Sequence, residues 1–572
     1  MKSKSLKKVN VLLALALTGS GAYASTADQE LLDILLKNGS INKTQYSSML
    51  GKEGMASSQL LEVLSKNGTI TKDQYANLTK KNPTLAAAPT PAATPAATLK
   101  LPEDAATVRL GDGGLRFESN DGNFKARIGG RLQADNQVAF NDQKSGDINH
   151  PNTNIASSAG FRRARIFLDG TLYKDFDYRF EYDFARGNGS STAGITDAFI
   201  KYMHFRPFAL TIGQQNEGKS LESWTSNNYM PFIERSLPNN ALIESYSKYQ
   251  VGLTAESYGK VLGDKTDGFS LPWFLRGGLL TETVGSGFGD TSNNSATGAL
   301  AVNNNILGIG NANRNNFSGN ISYQIVGRGA LMPYKDKEGN LFHTGVWGSW
   351  RDVNNNYNPD GSLRNGGWAF QSQPDTPVDR TNWISTGNLT NNVVINGKSV
   401  KSHQANNISM FGAELAGVLG PAWLSTEYMQ STVSGIGYQN DTVRGYYVQG
   451  GYYLTGEHRP WNEKLAAWDR LHPNRNFDWN GGWGAVELAA RFDLMDMNTR
   501  NINGGSMEIG TLGINWYLNP HVRFMNNFVH VFNVGNSVTC NSAQVYSGGS
   551  PNNGCYKGLS PNVWEMAVRL DY

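Results

Sequence analysis

The end of the chain limits the fold more than any other feature. Trp564, Met566, Val568, Leu570 and Tyr572 alternate with Glu565, Ala567, Arg569 and Asp571 up to the last residue. A period of two places each set on one face of a β-strand. As the edge of a soluble sheet, such an apolar face would invite aggregation. Between lipid and water it is what a strand requires, and a terminal amphipathic strand ending in an aromatic reads as the assembly signal of an outer-membrane barrel.

The same alternation recurs upstream. Over 124–140, Phe124, Ala126, Ile128, Gly130, Leu132, Ala134 and Val138 share one face, opposite Lys125, Arg127, Arg131, Gln133, Asp135 and Gln137. Ile166, Leu168 and Leu172 lie opposite Arg163, Arg165, Asp169 and Thr171. After a turn at Lys174-Asp175, Tyr178, Phe180, Tyr182 and Phe184 alternate with Asp177, Arg179, Glu181 and Asp183. The polar faces carry several charges each and the apolar faces end in aromatics, as expected of a lipid-facing exterior around a wet lumen. Closing the sheet satisfies every backbone group without an exposed edge. The fold class expected is therefore all-β, a transmembrane antiparallel β-barrel. Short turns (173–176, 419–421, 518–520) interleave with long Asn/Gly-rich ones (285–316, 352–407), and the long set should face outward. At roughly 10 residues per strand the zone holds about 16 strands.

Composition agrees: 64 glycines, 24 tyrosines, 24 phenylalanines and 13 tryptophans accompany only 17% charged residues. Residues 1–24 read as a signal peptide, with Lys2, Lys4, Lys7 and Lys8 before a short apolar core and Ala22-Tyr23-Ala24 as its cleavage site. Without those four lysines the chain has 47 basic and 48 acidic residues, so net charge selects no partner. Residues 25–82 form a duplicated helical module, Leu31 to Tyr46 recurring at Leu60 to Tyr75. It is expected in the periplasm, with self-association or cell-wall contact open as roles. An Ala/Pro/Thr-rich linker spans 83–100, and the barrel domain 101–572. Cys540 and Cys555, close in sequence in an oxidising compartment, are expected to form a disulfide.

Enzyme chemistry has little to stand on. The eight histidines are scattered, mainly through loops, and no Gly-x-Ser-x-Gly elbow is present. Gly285, Gly287 and Gly289 precede no helix, so they form no phosphate cradle. Asp352, Asn354, Asn356 and Asn358 alternate like calcium ligands but lack the closing glutamate. No cofactor, metal site or nucleic-acid partner is expected. A barrel enzyme, an adhesin and a non-selective porin are the competing readings.

In order and spacing, a set of short motifs resembles the phosphate-selective porin O and P family. They are Gly130-Arg-Leu-Gln-Ala-Asp135, Phe161-Arg-Arg-Ala164, Gly170-Thr-Leu-Tyr-Lys-Asp175, Leu221-Glu222 and Glu234-Arg235. Further along follow Gly445-Tyr-Tyr, Leu454-Thr-Gly-Glu-His-Arg459 and Thr511-Leu-Gly-Ile-Asn-Trp-Tyr517. The resemblance implies an outer-membrane homotrimer passing small hydrophilic anions, with a loop folded into each lumen as a constriction. It further implies an arginine-lined throat, matched here by Arg162, Arg163 and Arg235. Two positions depart from phosphate-specific members, with Ser223 for a lysine and Thr196 for an aspartate. On the polar strand faces Arg127, Arg131, Arg165 and Lys201 are further pore-lining candidates. The alternative for each is a lumen salt bridge to Asp169, Asp183 or Glu181. Glu414, Glu427 and Glu487 also fall on lumen faces, so the bias must be local.

Overall fold

A computed structural model describes residues 106–572 except 112, 141–154, 186–193, 206, 245–247, 263–269, 282–322, 354, 358–362, 367, 396–397 and 536–555. The signal, module and linker expected over 1–100, and the Cys540–Cys555 pair, lie outside the described residues.

The alternating segments become long strands: β1 (Phe124–Phe140), β2 (Ser158–Leu172), β3 (Phe176–Asp183), β4 (Gly194–Tyr202), β5 (Ala209–Asn216) and β6 (Tyr249–Leu262). Next come β7 (Ser270–Thr281), β8 (Tyr323–Lys335), β9 (Leu341–Asp352), β10 (Lys398–Leu419) and β11 (Ala422–Ile436). Last are β12 (Tyr438–Tyr453), β13 (Ala485–Asn498), β14 (Asn503–Tyr517), β15 (Val522–Gly535) and β16 (Asn562–Asp571). Each pairs antiparallel with the next. β16 pairs back onto β1, Asn562 opposite Phe140 and Asp571 opposite Arg131, closing a sixteen-stranded barrel.

The closing seam explains one glycine. Tyr572 exchanges backbone hydrogen bonds of 3.1 Å with Gly130 in both directions. A Cβ on Gly130 would stand 2.7 Å from the Tyr572 hydroxyl, so only glycine lets the terminal ring lie against β1. Where β16 runs out, a hairpin of Ala106–Gly111 and Gly114–Ser119 takes over and pairs with Lys125–Ile128 of β1.

Outward residues such as Ile166, Phe180, Leu279 and Trp564 are exposed, and Gln133, Asp135, Gln137 and Glu181 are buried inward. Aromatic pairs gather at both ends of the outer face. Phe124–Tyr173 and Phe176–Tyr202 lie at one end, Tyr182–Phe184 and Tyr323–Trp350 at the other. These are the girdles of the membrane interfaces. Short turns such as 173–175, 420–421 and 518–521 mark the periplasmic end. One periplasmic connection breaks the length rule. Residues 454–484 are long yet join β12 to β13 at the short-turn end, and their middle part packs inward. There Trp468 and Leu471 pack with Leu221, Phe232 and Trp423.

Candidate functional site

Two outward connections also enter the lumen. The first is the segment between β5 and β6, residues 217–248. A loop inside a barrel can persist only if the wall satisfies its backbone. The Glu427 carboxylate accepts hydrogen bonds from Ser220 Oγ (3.0 Å), Leu221 N (2.7 Å) and Glu222 N (3.0 Å), and a further one from the Tyr447 hydroxyl (2.8 Å). Arg569 donates to the carbonyls of Asn227 (2.7 Å) and Ile233 (2.9 Å), Arg523 to that of Met230 (2.8 Å), and Asn515 to that of Pro231 (2.8 Å). Leu221, Phe232, Ile233, Leu237 and Leu242 of the loop are fully buried. Polar anchoring and apolar packing thus hold the same segment.

The second is the connection between β9 and β10. Its Trp368, Phe370 and Trp383 are buried, and Trp383 stacks on Tyr556 at 4.6 Å. Gln137 of β1 accepts from Val378 N (2.8 Å) and Asp379 N (3.2 Å), which fixes the neighbouring Arg380.

Between these loops and the β1–β2 wall the charges converge. Arg162 Nε lies 2.7 Å from Glu234 Oε1, and Arg380 Nη1 lies 3.0 Å from Glu234 Oε2. Arg235 Nε is 2.8 Å from Glu244 and Lys248 Nζ is 3.1 Å from the same carboxylate. Arg163, hydrogen-bonded to Gln133 at 2.8 Å, acts on both glutamates. Burial alone would raise Glu234, but Arg162, Arg380 and Arg163 outweigh it and hold its pKa at about 2. Burial and Arg235 push Lys248 down to about 7 against the pull of Glu244. Five cations therefore face two carboxylates.

Arg162 and Arg163 both turn inward, which strict alternation forbids. β1 pairs Gln133 with Arg163 and then Ala134 with Phe161, so Arg162 is the extra residue of a β-bulge. A bulge re-aims one side chain without ending the strand. A second bulge, where Glu181 pairs with Asp197 and Tyr182 with Ile195, does the same for Thr196. Its hydroxyl lies 2.9 Å from Glu181 Oε1.

Comparisons with known proteins identify the family. The model of the family described as phosphate-selective porin O and P matches residues 127–543. The chain belongs to that family. It is 27% identical over 434 residues to Porin O of Pseudomonas aeruginosa, spanning 73% of this chain and 85% of that one. It is 24% identical over 428 residues to an uncharacterized protein of Caulobacter vibrioides, 75% of this chain and 72% of the other. The outer membrane channel DcaP of Acinetobacter baumannii overlaps 81% of this chain and all of its own length at 11% identity and a TM-score of 0.39. That superposition is too loose to transfer any residue, and the barrel rests on this chain's own strand pairing. As a member of the family the protein is an outer-membrane porin.

Within the porin the arginines expected from sequence have different surroundings. Arg162 keeps 15% of its side chain exposed, and Arg380 keeps 19%. Arg235 keeps 2% and is pinned by Glu244, the Thr225 carbonyl and Asn227. Arg127 binds Asp169 through two bonds of 2.9 and 2.6 Å, and Arg165 binds Glu181 and Asp183 at 2.7 Å each. Lys201 pairs with Glu256, which Arg276 also holds. Arg131 faces the lumen beside Arg165, and its Nε has no partner among the described residues. Glu414 is tied up by Arg328 and His343, and Glu487 by Trp423, Asn515 and Tyr517. Ser223 sits buried in the short helix Leu221–Trp224, its hydroxyl without a partner among the described residues.

Arg380 and Lys248 were not legible as site residues in the sequence. Arg380 sits in a long polar connection that reads as exterior, and contacts of its neighbours with Gln137, Ala156 and Arg491 bring it to Glu234. Its one local sign is the Pro377-Val378-Asp379-Arg380 turn, a charge fixed behind a proline.

Proposed function

We propose that this porin is anion-preferring and passes small hydrophilic anions, phosphate among them, through the throat at Glu234 and Glu244. The observation that carries the reading is the excess of cations there, four guanidiniums and Lys248 against Glu234 and Glu244. A unit charge about 4 Å from an anion is worth roughly 1 kcal/mol in water and about 4 at an effective dielectric of 20. A throat that sheds part of the solute's water makes that difference selective, while shared carboxylates keep the anion able to leave. Guanidinium forks suit tetrahedral oxyanions. Arg162 and Arg380, the more exposed pair, would touch the solute, and Arg163 and Arg235 would supply field from behind.

The family resemblance supports a homotrimer. The duplicated helical module at 25–82 is proposed to be periplasmic.

The test is reversal potential under a salt gradient, comparing wild type with Arg162→Ala, Arg163→Ala and Arg235→Ala. The expected result is anion preference in the wild type, reduced most by Arg162→Ala. A wild-type channel without preference, or three variants with its cation/anion ratio, would overturn the assignment. Phosphate block of chloride current separates an oxyanion channel from a general anion pore, since the latter shows little block.

A further inference from the structure

A second group of arginines lies beneath the infolded loop and makes no ion pair with Glu234 or Glu244. Arg523 of β15 and Arg569 of β16 are direct cross-strand partners. Like charges placed so, with Cβ atoms about 5 Å apart, repel and need compensation. Their compensation comes from the loop carbonyls named above and the Tyr517 hydroxyl, 3.0 Å from Arg523. No carboxylate among the described residues is within ion-pair distance of either. Arg459, from the inward periplasmic connection, is sandwiched by the rings of Trp423 (3.7 Å) and Trp468 (4.1 Å) and donates to the Tyr229 carbonyl at 3.2 Å. Carbonyls and rings hold a guanidinium in place without cancelling its charge.

These three side chains line one cavity of about 30 Å³, together with Tyr453 and Tyr517. Two or three waters fill such a space, as does one small oxyanion. The three arginines are 4–5% exposed. Arg459 Nη1, Arg523 Nη2 and Arg569 Nε have no hydrogen-bond partner among the described residues. A buried donor left unpaired is costly, more so on a charged group. At the mouth Arg470 and Asp571 pair with each other beside His521, and the other lining carboxylate, Asp469, accepts from Asn462 (3.2 Å) and from Arg470 N (2.8 Å). The mouth lies at the turn 518–521, the periplasmic end.

We propose that this cavity is a second anion site, on the periplasmic side of the throat. It binds a small inorganic oxyanion through Arg459, Arg523 and Arg569, with Tyr453 and Tyr517 at its wall. The inference rests on the reading of the channel as anion-conducting. An anion leaving the throat then meets a second cationic station before the periplasm, and multi-site occupancy keeps tight binding compatible with passage.

The experiment uses the full-length porin in planar bilayers, inserted from one side, with inorganic phosphate added to one compartment at a time against chloride current. In the wild type, periplasmic phosphate is expected to block at lower concentration than extracellular phosphate. Arg459→Gln and Arg523→Gln should weaken the periplasmic block by roughly tenfold, the cost of one charge-assisted contact, and the extracellular block by less, since each also gives up one hydrogen bond to the throat loop; an equal loss on both sides would mean that they act only through the loop and would overturn the second site. Arg523→Lys, which keeps the charge and loses the fork, should fall between and remains informative if the glutamine variant does not insert. Equal block from both sides with no response to these variants overturns the second site. If the wild-type reversal potential shows no anion preference, the throat reading itself has failed, and the two failures are therefore distinguishable.

Discussion

The lumen carries two arginine clusters that meet at β2, and they behave in opposite ways. Along β1 to β4, Arg127, Arg165 and Arg179 interlock with Asp169, Glu181, Asp183 and Asp197 in contacts of 2.6 to 3.7 Å. Three cations meet four carboxylates, and all seven come from neighbouring strands. Arg127 and Arg179 also flank the Phe167 ring at 4.9 and 4.6 Å. Around Glu234 and Glu244 the count is reversed, with cations from a strand bulge, two infolded loops and the start of β6. The first cluster stiffens the wall, and the second leaves a field. Counting arginines therefore says little about selectivity, and counting their carboxylates says more.

The largest disruption of that contrast should come from the loop that builds the second cluster. Glu427→Ala strands the buried amides of Leu221 and Glu222, at about 1–3 kcal/mol each. The barrel pairing is untouched, so the protein should still insert. Single-channel conductance should rise and anion preference fall together; unchanged conductance would show that Glu427 does not hold the loop.

Removing the shared counterion tests the sign. Glu234→Gln frees both Arg162 and Arg380, so anion preference should increase, by at least the roughly fivefold that 1 kcal/mol represents. A decrease would mean that Glu234 orders those arginines more than it neutralises them.

A smaller effect is expected from pH. Lys248 faces Glu244, Arg235 and Arg163, and its pKa of about 7 means that its charge is present below neutrality and lost as pH rises through 7. Anion preference should therefore weaken between pH 6 and 8, over the range roughly two units wide in which such a group titrates. Lys248→Met should abolish that step and hold the preference near its high-pH value. A pH profile identical in variant and wild type would exclude Lys248.

The smallest change should come from the stiff cluster. Arg127→Gln leaves Asp169 still bound to Arg179 at 2.7 Å, so selectivity should move little and stability by about 1 kcal/mol or less. A large loss of anion preference would make the ladder part of the conduction path and erase the distinction between the clusters.

The sequence by itself determined the barrel. Alternation with period two is local, and Phe124 to Phe140 or Trp564 to Tyr572 displays it without reference to any partner. The same alternation sorted Arg127, Arg131, Arg165 and Lys201 to the lumen. It could not place Arg162 beside Arg163, because adjacent strand residues point to opposite faces unless a bulge intervenes, and the bulge exists only in the pairing of β1 with β2. Nor could it predict that 454–484 turns inward. Tertiary structure alone decided which charges are cancelled. Arg380 reaches Glu234 through a loop 146 residues away in sequence, and Arg523 and Arg569 keep their charge because loop carbonyls, not carboxylates, face them. Polarity is written residue by residue, whereas neutralisation depends on which distant groups the folded loops bring within a few ångströms.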